Sequence, residues 1–146
     1  MVTELSIGEQ ETRKGAEMSA NEDTVRRGYE AFGQGDMETL RSIMTPDVVQ
    51  SVPGKSQVSG DHKGIDNVLG YYAKLFELTG GTLKADLQSV TDDGPDKVLA
   101  VHKLTAQRGG KSYDETEKLH FTLSGGKVSR LDEEHPDLAT FEDFFS

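Results

Sequence analysis

Residues 97–134 read KVLAVHKLTAQRGGKSYDETEKLHFTLSGGKVSRLDEE, and the fold is organised around them. Two Gly-Gly pairs, at 109–110 and 125–126, divide this stretch into three runs typical of extended chain. A Gly-Gly pair between such runs predicts a two-residue hairpin, because both residues of the favoured turn need positive φ. The stretch therefore predicts three consecutive antiparallel strands.

Counting outward from each turn predicts which residues lie opposite each other. The first hairpin pairs His102 with Glu117, and the second pairs Leu119 with Asp132. Because side chains alternate across a sheet, one face collects apolar residues beside a group of ionisable ones. That face comprises Val98, Ala100, His102, Leu104, Ala106, Tyr113, Glu115, Glu117, Leu119, Phe121, Leu123, Val128, Arg130, Asp132 and Glu134. Such a mixed face indicates either a solvated end of the sheet or the wall of a pocket.

Composition narrows the classes of protein to consider. A chain of 146 residues fits one domain. Its net charge of −10 argues against a nucleic-acid partner, which needs a basic surface. The lack of cysteine excludes disulfides and thiolate chemistry. No apolar run is long enough for a membrane span and no signal peptide is evident, so we expect a cytoplasmic protein.

The rest of the chain predicts helices before and after the strands. Residues 1–20 are polar and aperiodic, which indicates a mobile tail, and residues 21–146 form the predicted domain. Ser19 and Glu22 match a capping box at the start of the first helix. The second helix is expected to include Ile43 and Met44, and residues 55–64 are expected to form a polar loop. The predicted order α-α-β-α-β-β-β-β-α corresponds to an α+β fold with helices on one face of the sheet.

Several segments resemble a known family. They are VRRGYEAFGQGDMETLRSIMTPDVV (25–49), VPG (52–54), KGIDNVLGYYAKLFELTGG (63–81) and LHFTLSGGKVSRLDE (119–133). Together they are similar to SnoaL-like proteins of the nuclear transport factor 2-like superfamily, which includes polyketide cyclases and ketosteroid isomerases. The resemblance implies a cone: a curved antiparallel sheet closed by helices around an apolar pocket, often dimerised through the outer sheet face.

The resemblance also implies a chemistry. Related enzymes move protons next to a carbonyl without a cofactor, using an interior Asp assisted by His, Tyr or a second acid. Asp132 matches the position of that Asp on the last strand. The sequence departs from the family at Gln50-Ser51, where relatives often carry an aromatic residue and a His, and at Leu119, where a His is common.

Three ionisable residues are the candidate catalytic groups. Asp132 is predicted among apolar neighbours, and burial raises a carboxyl pKa into the range useful for proton transfer. The other interpretation is a carboxylate at the rim of the pocket, paired with Arg130. His102 opposite Glu117 is either a base oriented by a carboxylate or a cross-strand pair that only satisfies two half-buried groups.

The remaining predictions concern ligand and partners. We expect an apolar, polyketide-like or steroid-like ligand and no cofactor. We expect no metal, because the four histidines lack the spacing of metal ligands. Two functions stay open, a cofactor-free isomerase or aldol-type cyclase and a non-catalytic ligand-binding or dimerisation module. An outer apolar patch of Leu99, Val101 and Leu131 predicts a homodimer. The predicted ligand contacts are Tyr29, Phe32, Gln50, Tyr72, Phe76, Tyr113, Leu119, Phe121 and Arg130.

Overall fold

The computed structural model describes residues 19–146. The predicted mobile tail therefore lies outside the described residues, except for Ser19 and Ala20, which belong to the start of the first helix. The described elements are α1 (Ala20–Gln34), α2 (Met37–Ser42), β1 (Met44–Val52), β2 (Gly60–Lys63), α3 (Ile65–Leu78), β3 (Lys84–Asp92), β4 (Lys97–Arg108), β5 (Lys111–Ser124), β6 (Lys127–Glu134) and α4 (Leu138–Phe144).

The first helix begins at the predicted capping box, which is confirmed. The Ser19 hydroxyl accepts a hydrogen bond from the Glu22 N–H at 3.0 Å, and the Glu22 carboxylate accepts one from the Ser19 N–H at 3.1 Å. The helix ends at Gly35, whose φ of 67° allows the left-handed cap. Its buried residues include Val25 and Ala31, so this helix presents an apolar side to the sheet.

The six strands form one sheet in the order β2-β1-β6-β5-β4-β3. Neighbouring strands are antiparallel except β1 and β6, which are parallel. Helix α1 packs against β3 and β4, and helix α3 packs against β1 and β2. The predicted α+β class, with helices covering one face of the sheet, is confirmed.

Two local predictions were wrong. The second helix stops at Ser42, and Met44 instead begins β1, which runs through Pro46. The predicted loop of residues 55–64 contains the short strand β2, which pairs with β1 at the edge of the sheet. Its four residues are mostly exposed, so they show no alternation of apolar and polar side chains that sequence analysis could detect.

The first hairpin has the predicted register throughout. His102 lies opposite Glu117, Ala100 opposite Leu119 and Arg108 opposite Lys111. Gly109 and Gly110 have φ values of 55° and 84°, as the two-residue turn requires. The inner face of β4 and β5 is therefore the one that counting predicted.

The second hairpin has a different register after its first two pairs, because β6 carries a β-bulge. Leu123 pairs with Val128 as predicted, but Thr122 then pairs with Arg130, so Ser129 is an extra residue on β6. The Ser129 hydroxyl donates a hydrogen bond to the Thr122 carbonyl at 3.2 Å. A one-residue shift moves every following side chain to the other face of a strand.

The bulge corrects five predicted orientations. Leu131 and Glu133 face the interior, whereas Arg130, Asp132 and Glu134 lie on the outer face. Asp132 now pairs with His120, and Leu119 pairs with Glu133. Leu131 is 2% exposed and so leaves the predicted outer apolar patch.

The core lies between the helices and the inner face of the sheet. Helix α4 closes one end of it, where Phe141, Phe144 and Phe145 are buried against the Tyr113 ring. Within residues 19–146, every helix is too short or too polar to cross a membrane.

Candidate functional site

A cavity of about 90 Å³ lies between the helices and the inner sheet face. Most of its wall is apolar, and the apolar side chains come from both layers. The polar side chains that reach this wall include Gln50, His102, Glu117 and Glu133. The apolar wall includes Val25, Phe32, Leu40, Leu119, Phe121 and Leu131.

His102 lies between a phenol and a carboxylate. Its Nδ1 is 2.6 Å from the Tyr29 hydroxyl, and its Nε2 is 3.2 Å from Oε1 of Glu117. An ionised carboxylate only accepts hydrogen bonds, so Nε2 carries a proton, and in the neutral form of the ring Nδ1 accepts from the Tyr29 hydroxyl. Helix α1 and strands β4 and β5 thus align a hydroxyl, an imidazole and a carboxylate.

Glu117 is held as a buried carboxylate. The residue is 4% exposed, and its Oε2 accepts hydrogen bonds from the Tyr113 hydroxyl and from Nδ1 of His135, the latter at 3.0 Å. Burial alone would raise the pKa of Glu117. Hydrogen bonds from His102, His135 and Tyr113, with the charge of His135, outweigh burial and lower this pKa to about 2.

His135 bridges two carboxylates. Besides Glu117, it contacts Oε1 of Glu133 through Nε2 at 2.8 Å, and its side chain is 1% exposed. Both ring nitrogens face acceptors, which requires the doubly protonated imidazolium. Burial lowers the pKa of His135, but the hydrogen bonds and charges of Glu117 and Glu133 outweigh it and raise the pKa to about 9.

Glu133 extends this network to helix α3. Its Oε2 accepts from the Tyr71 hydroxyl at 2.7 Å and from Nε2 of Gln50 at 2.7 Å. The Tyr72 hydroxyl in turn donates to Oε1 of Gln50. Burial raises the pKa of Tyr71 well above its ordinary value, so its hydroxyl remains a donor. One connected hydrogen-bond network therefore runs from α1 through the sheet to α3.

The predicted site residues fall into two groups. Those that line the cavity are Tyr29, Phe32, Gln50, Tyr72, His102, Glu117, Leu119 and Phe121. Phe76 lies behind Phe32, with ring centroids 5.0 Å apart, and Tyr113 lies behind Glu117. Arg130 and Asp132 were wrongly predicted to face the pocket. They form a 3.0 Å ion pair with each other, and their side chains are 45% and 43% exposed.

Three members of the network were not predicted from the sequence. Glu133 was assigned to the outer face because the bulge at Ser129 has no sequence signature. His135 follows β6 and precedes Pro136. Its position next to the acidic residues that end the predicted strand was the only indication of its role in the sequence. Tyr71 neighbours the predicted Tyr72 on α3, and both tyrosines are buried. Among residues 19–146, no group of three or more His, Asp or Glu side chains is placed to hold a metal ion.

Comparison with known proteins agrees with this architecture. The chain is 37% identical over 127 residues to the uncharacterized protein Rv0034 of Mycobacterium tuberculosis, covering 87% of this chain and 97% of the relative. The structure superposes on Bal32a from a soil-derived mobile gene cassette with a TM-score of 0.83 at 38% identity, covering 87% and 97% of the two chains.

A more distant structure shares the fold. TerC, co-crystallized with polyporic acid, has a TM-score of 0.76 at 22% identity and covers 87% of this chain and 98% of its own. Residues 25–131 match the family described as the SnoaL-like domain. A match of this length, over the helices and strands that enclose the cavity, establishes that the chain belongs to the SnoaL-like domain family.

Proposed function

We propose that this protein is a cofactor-independent acid–base enzyme that moves a proton next to the carbonyl of a small ligand, as an isomerase or an aldol-type cyclase. The observation that carries the proposal is the alignment of the Tyr29 hydroxyl, the His102 imidazole and the Glu117 carboxylate, with both donor–acceptor distances at or below 3.2 Å. All three side chains line the cavity. Asp132, on the outer face, has no part in this proposal.

The alignment suggests a route for the proton. Both nitrogens of His102 are occupied, Nε2 by Glu117 and Nδ1 by the Tyr29 hydroxyl. A proton from the ligand therefore reaches the ring through Tyr29: the phenol oxygen takes the ligand's α-proton while its own proton moves to Nδ1. The ligand keeps the electron pair as an enolate, and the new imidazolium is stabilised by Glu117. The reverse transfer to another carbon completes an isomerisation.

The environment of Tyr29 supports this role. Burial, followed by the charges of neighbouring groups, raises the pKa of Tyr29 well above its ordinary value. The phenol is thus a neutral hydrogen-bond donor until His102 accepts its proton. Enolate formation is assisted when such groups are fixed in a site that excludes water.

The cavity volume restricts the ligand. The 90 Å³ found here is below the roughly 150 Å³ of an engineered apolar cavity that takes benzene. We infer that the substrate places only part of a small ring, or a short branched chain, in the interior. A larger polyketide-like or steroid-like molecule requires the helices to move outward. The co-crystallization of TerC with polyporic acid supports a small-molecule role for this fold.

We also propose a homodimer, although the outer apolar patch is smaller than the sequence predicted. With Leu131 inside, Leu99 and Val101 on β4 are what remains of the predicted outer patch, and both are only half-buried. Association through this face would cover them.

Hydrogen exchange into small ketones tests the proposed activity without knowledge of the natural substrate. Butanone, cyclopentanone and cyclohexanone are incubated with the protein in D₂O, and loss of α-protons is followed by NMR. We expect exchange above the buffer rate, reduced roughly 100-fold or more in His102→Gln and Tyr29→Phe.

The matched control is His120→Gln. His120 also lies opposite an acidic residue across a strand pair and contacts Glu134 at 2.8 Å, but its side chain is 42% exposed on the outer face. This variant should exchange at the wild-type rate. Exchange at the buffer rate with all three ketones, or equal rates for His102→Gln and the wild type, would contradict the proposed function and favour a non-catalytic binding module.

A further inference from the structure

The ionisable groups around the cavity carry a net negative charge in the form of the protein that the proposed proton transfer requires. Glu117 and Glu133 both line it, and His135 lies between them with one nitrogen on each carboxylate. Three donors point at each carboxylate, which satisfies the ionised form. Two carboxylates and one imidazolium carry a net charge of −1 with His102 in the neutral form from which the proposed proton transfer starts.

No cationic side chain offsets this charge within the described part of the cavity wall. Among the lining residues that the structure describes, Lys118 is the only lysine or arginine. Its side chain lies on the other face of β5, where it is exposed and, after the hydrogen bond from His120, helps to lower the pKa of Glu134. A buried charge without a counter-ion is costly, because water is excluded and the surrounding dielectric constant is low.

We propose that the cavity selects small ligands that carry a protonated amine. The ammonium group would supply the missing charge and donate hydrogen bonds to carboxylate oxygens that retain free lone pairs. Among residues 19–146, Oε1 of Glu117 accepts a hydrogen bond from His102 alone, and Oε1 of Glu133 accepts one from His135 alone. Each of these oxygens has capacity for a further donor.

The aromatic lining also suits a cation. Tyr29, Phe32 and Tyr72 line the same cavity, with the Phe32 and Tyr72 rings meeting edge to face at 5.2 Å. Ring faces attract ammonium groups in sites shielded from water. The apolar residues of the wall accept the hydrocarbon part of the ligand, so the preferred ligand is an amine on a small apolar skeleton.

This inference rests on the proposed use of the cavity as a ligand site, but it concerns binding and not turnover. The test compares cyclopentylammonium, cyclopentanol and cyclopentanecarboxylate, which share a skeleton and differ in charge. Affinities for the full chain are measured by NMR titration at pH 7. The titrations are run in 1 M NaCl, where the Debye length of about 3 Å suppresses general attraction to an acidic surface.

We expect the ammonium probe to bind at least tenfold more tightly than the alcohol, and the carboxylate to bind most weakly. An alcohol that binds as tightly as the ammonium would overturn the inference, whatever the variants do. Lack of binding by all three probes would overturn it together with the ligand site. Tight ammonium binding without ketone exchange would leave the inference standing and refute only the catalytic proposal.

Two adjacent substitutions locate the charge that is responsible. Glu133→Gln should lower ammonium affinity to that of the alcohol while leaving alcohol affinity unchanged, and the alcohol also reports that the variant is folded. Asp132→Asn removes the same charge one residue away on the outer face and should change neither. Equal losses in both variants, or an undiminished preference in Glu133→Gln, would contradict selection by the cavity.

Discussion

The His135 imidazole lies 3.0 Å from Oε2 of Glu117, and the two side chains are only 1% and 5% exposed. This pair links the end of β6 to the middle of β5, in a part of the protein from which water is excluded. Its charges stabilise the fold only while His135 is protonated and Glu117 is ionised. The pair therefore makes stability depend on pH in both directions.

On the alkaline side we expect unfolding free energy to fall as the pH rises. The folded pKa of His135 is about 9, above its ordinary value of 6.5, so its contribution is complete below pH 6.5 and is lost as the pH rises through about 9. The slope should reach at most about 1.4 kcal/mol per pH unit. Urea unfolding between pH 6 and 9.5 measures it. His135→Gln should abolish the slope and His120→Gln should retain it.

On the acid side we expect the unfolding free energy to fall as the pH decreases. The folded pKa of Glu117 is about 2, below its ordinary value of 4.5, so its contribution is complete above pH 4.5 and is lost as the pH falls toward 2. Glu117→Gln should be less stable than the wild type at pH 6, and the difference should shrink by pH 2.5. A difference that is constant across this range would show that the charge of Glu117 does not stabilise the fold.

Tyr113→Phe should destabilise the protein without changing the cavity. Its hydroxyl donates a hydrogen bond to Glu117, but Tyr113 itself does not line the cavity. Loss of a hydrogen bond to a charged group costs roughly 1.5–3 kcal/mol. Chemical unfolding at pH 7 measures this loss. Binding of cyclopentanol should be unchanged, and a tenfold weaker affinity would show that Tyr113 shapes the cavity.

Two mid-helix glycines should respond differently to alanine. A Cβ at Gly70 in α3 would meet nothing within 4 Å, so Gly70→Ala should stabilise the protein by roughly 0.5–1 kcal/mol through helix propensity. A Cβ at Gly28 would lie 3.1 Å from Cδ1 of Ile43, and both residues line the cavity. Gly28→Ala should therefore gain less stability and weaken cyclopentanol binding. Equal melting-temperature gains in the two variants would contradict this difference.

The proposed dimer has its own test. Leu99→Lys combined with Val101→Lys should convert a dimer to a monomer in light scattering at micromolar concentration, because both changes place charge on the outer face of β4. A monomeric wild type would refute the dimer.

Local signals in the sequence were sufficient to predict much of this architecture. The capping box at Ser19 and the glycine turn at Gly109–Gly110 depend on adjacent residues, and the register of β4 with β5 follows from that turn. His102 and Glu117 could therefore be paired correctly. The orientation of Asp132 could not, because the bulge that reorients it depends on how β6 meets β1 and β5. The position of His135 likewise depends on tertiary packing beyond the last strand.

The bulge at Ser129 also has an evolutionary consequence. Loss of this single residue would restore the uninterrupted ladder and reverse the orientation of the five residues that follow, so that Arg130, Asp132 and Glu134 would point inward in place of Leu131 and Glu133. Deletion of one codon in a gene of this family would then change which acidic side chains lie inside the cavity. It would also place a cationic side chain there. When relatives differ by a one-residue gap in this strand, their residues should be compared by the face of the sheet on which they lie. Residues that align in sequence there can lie on opposite faces.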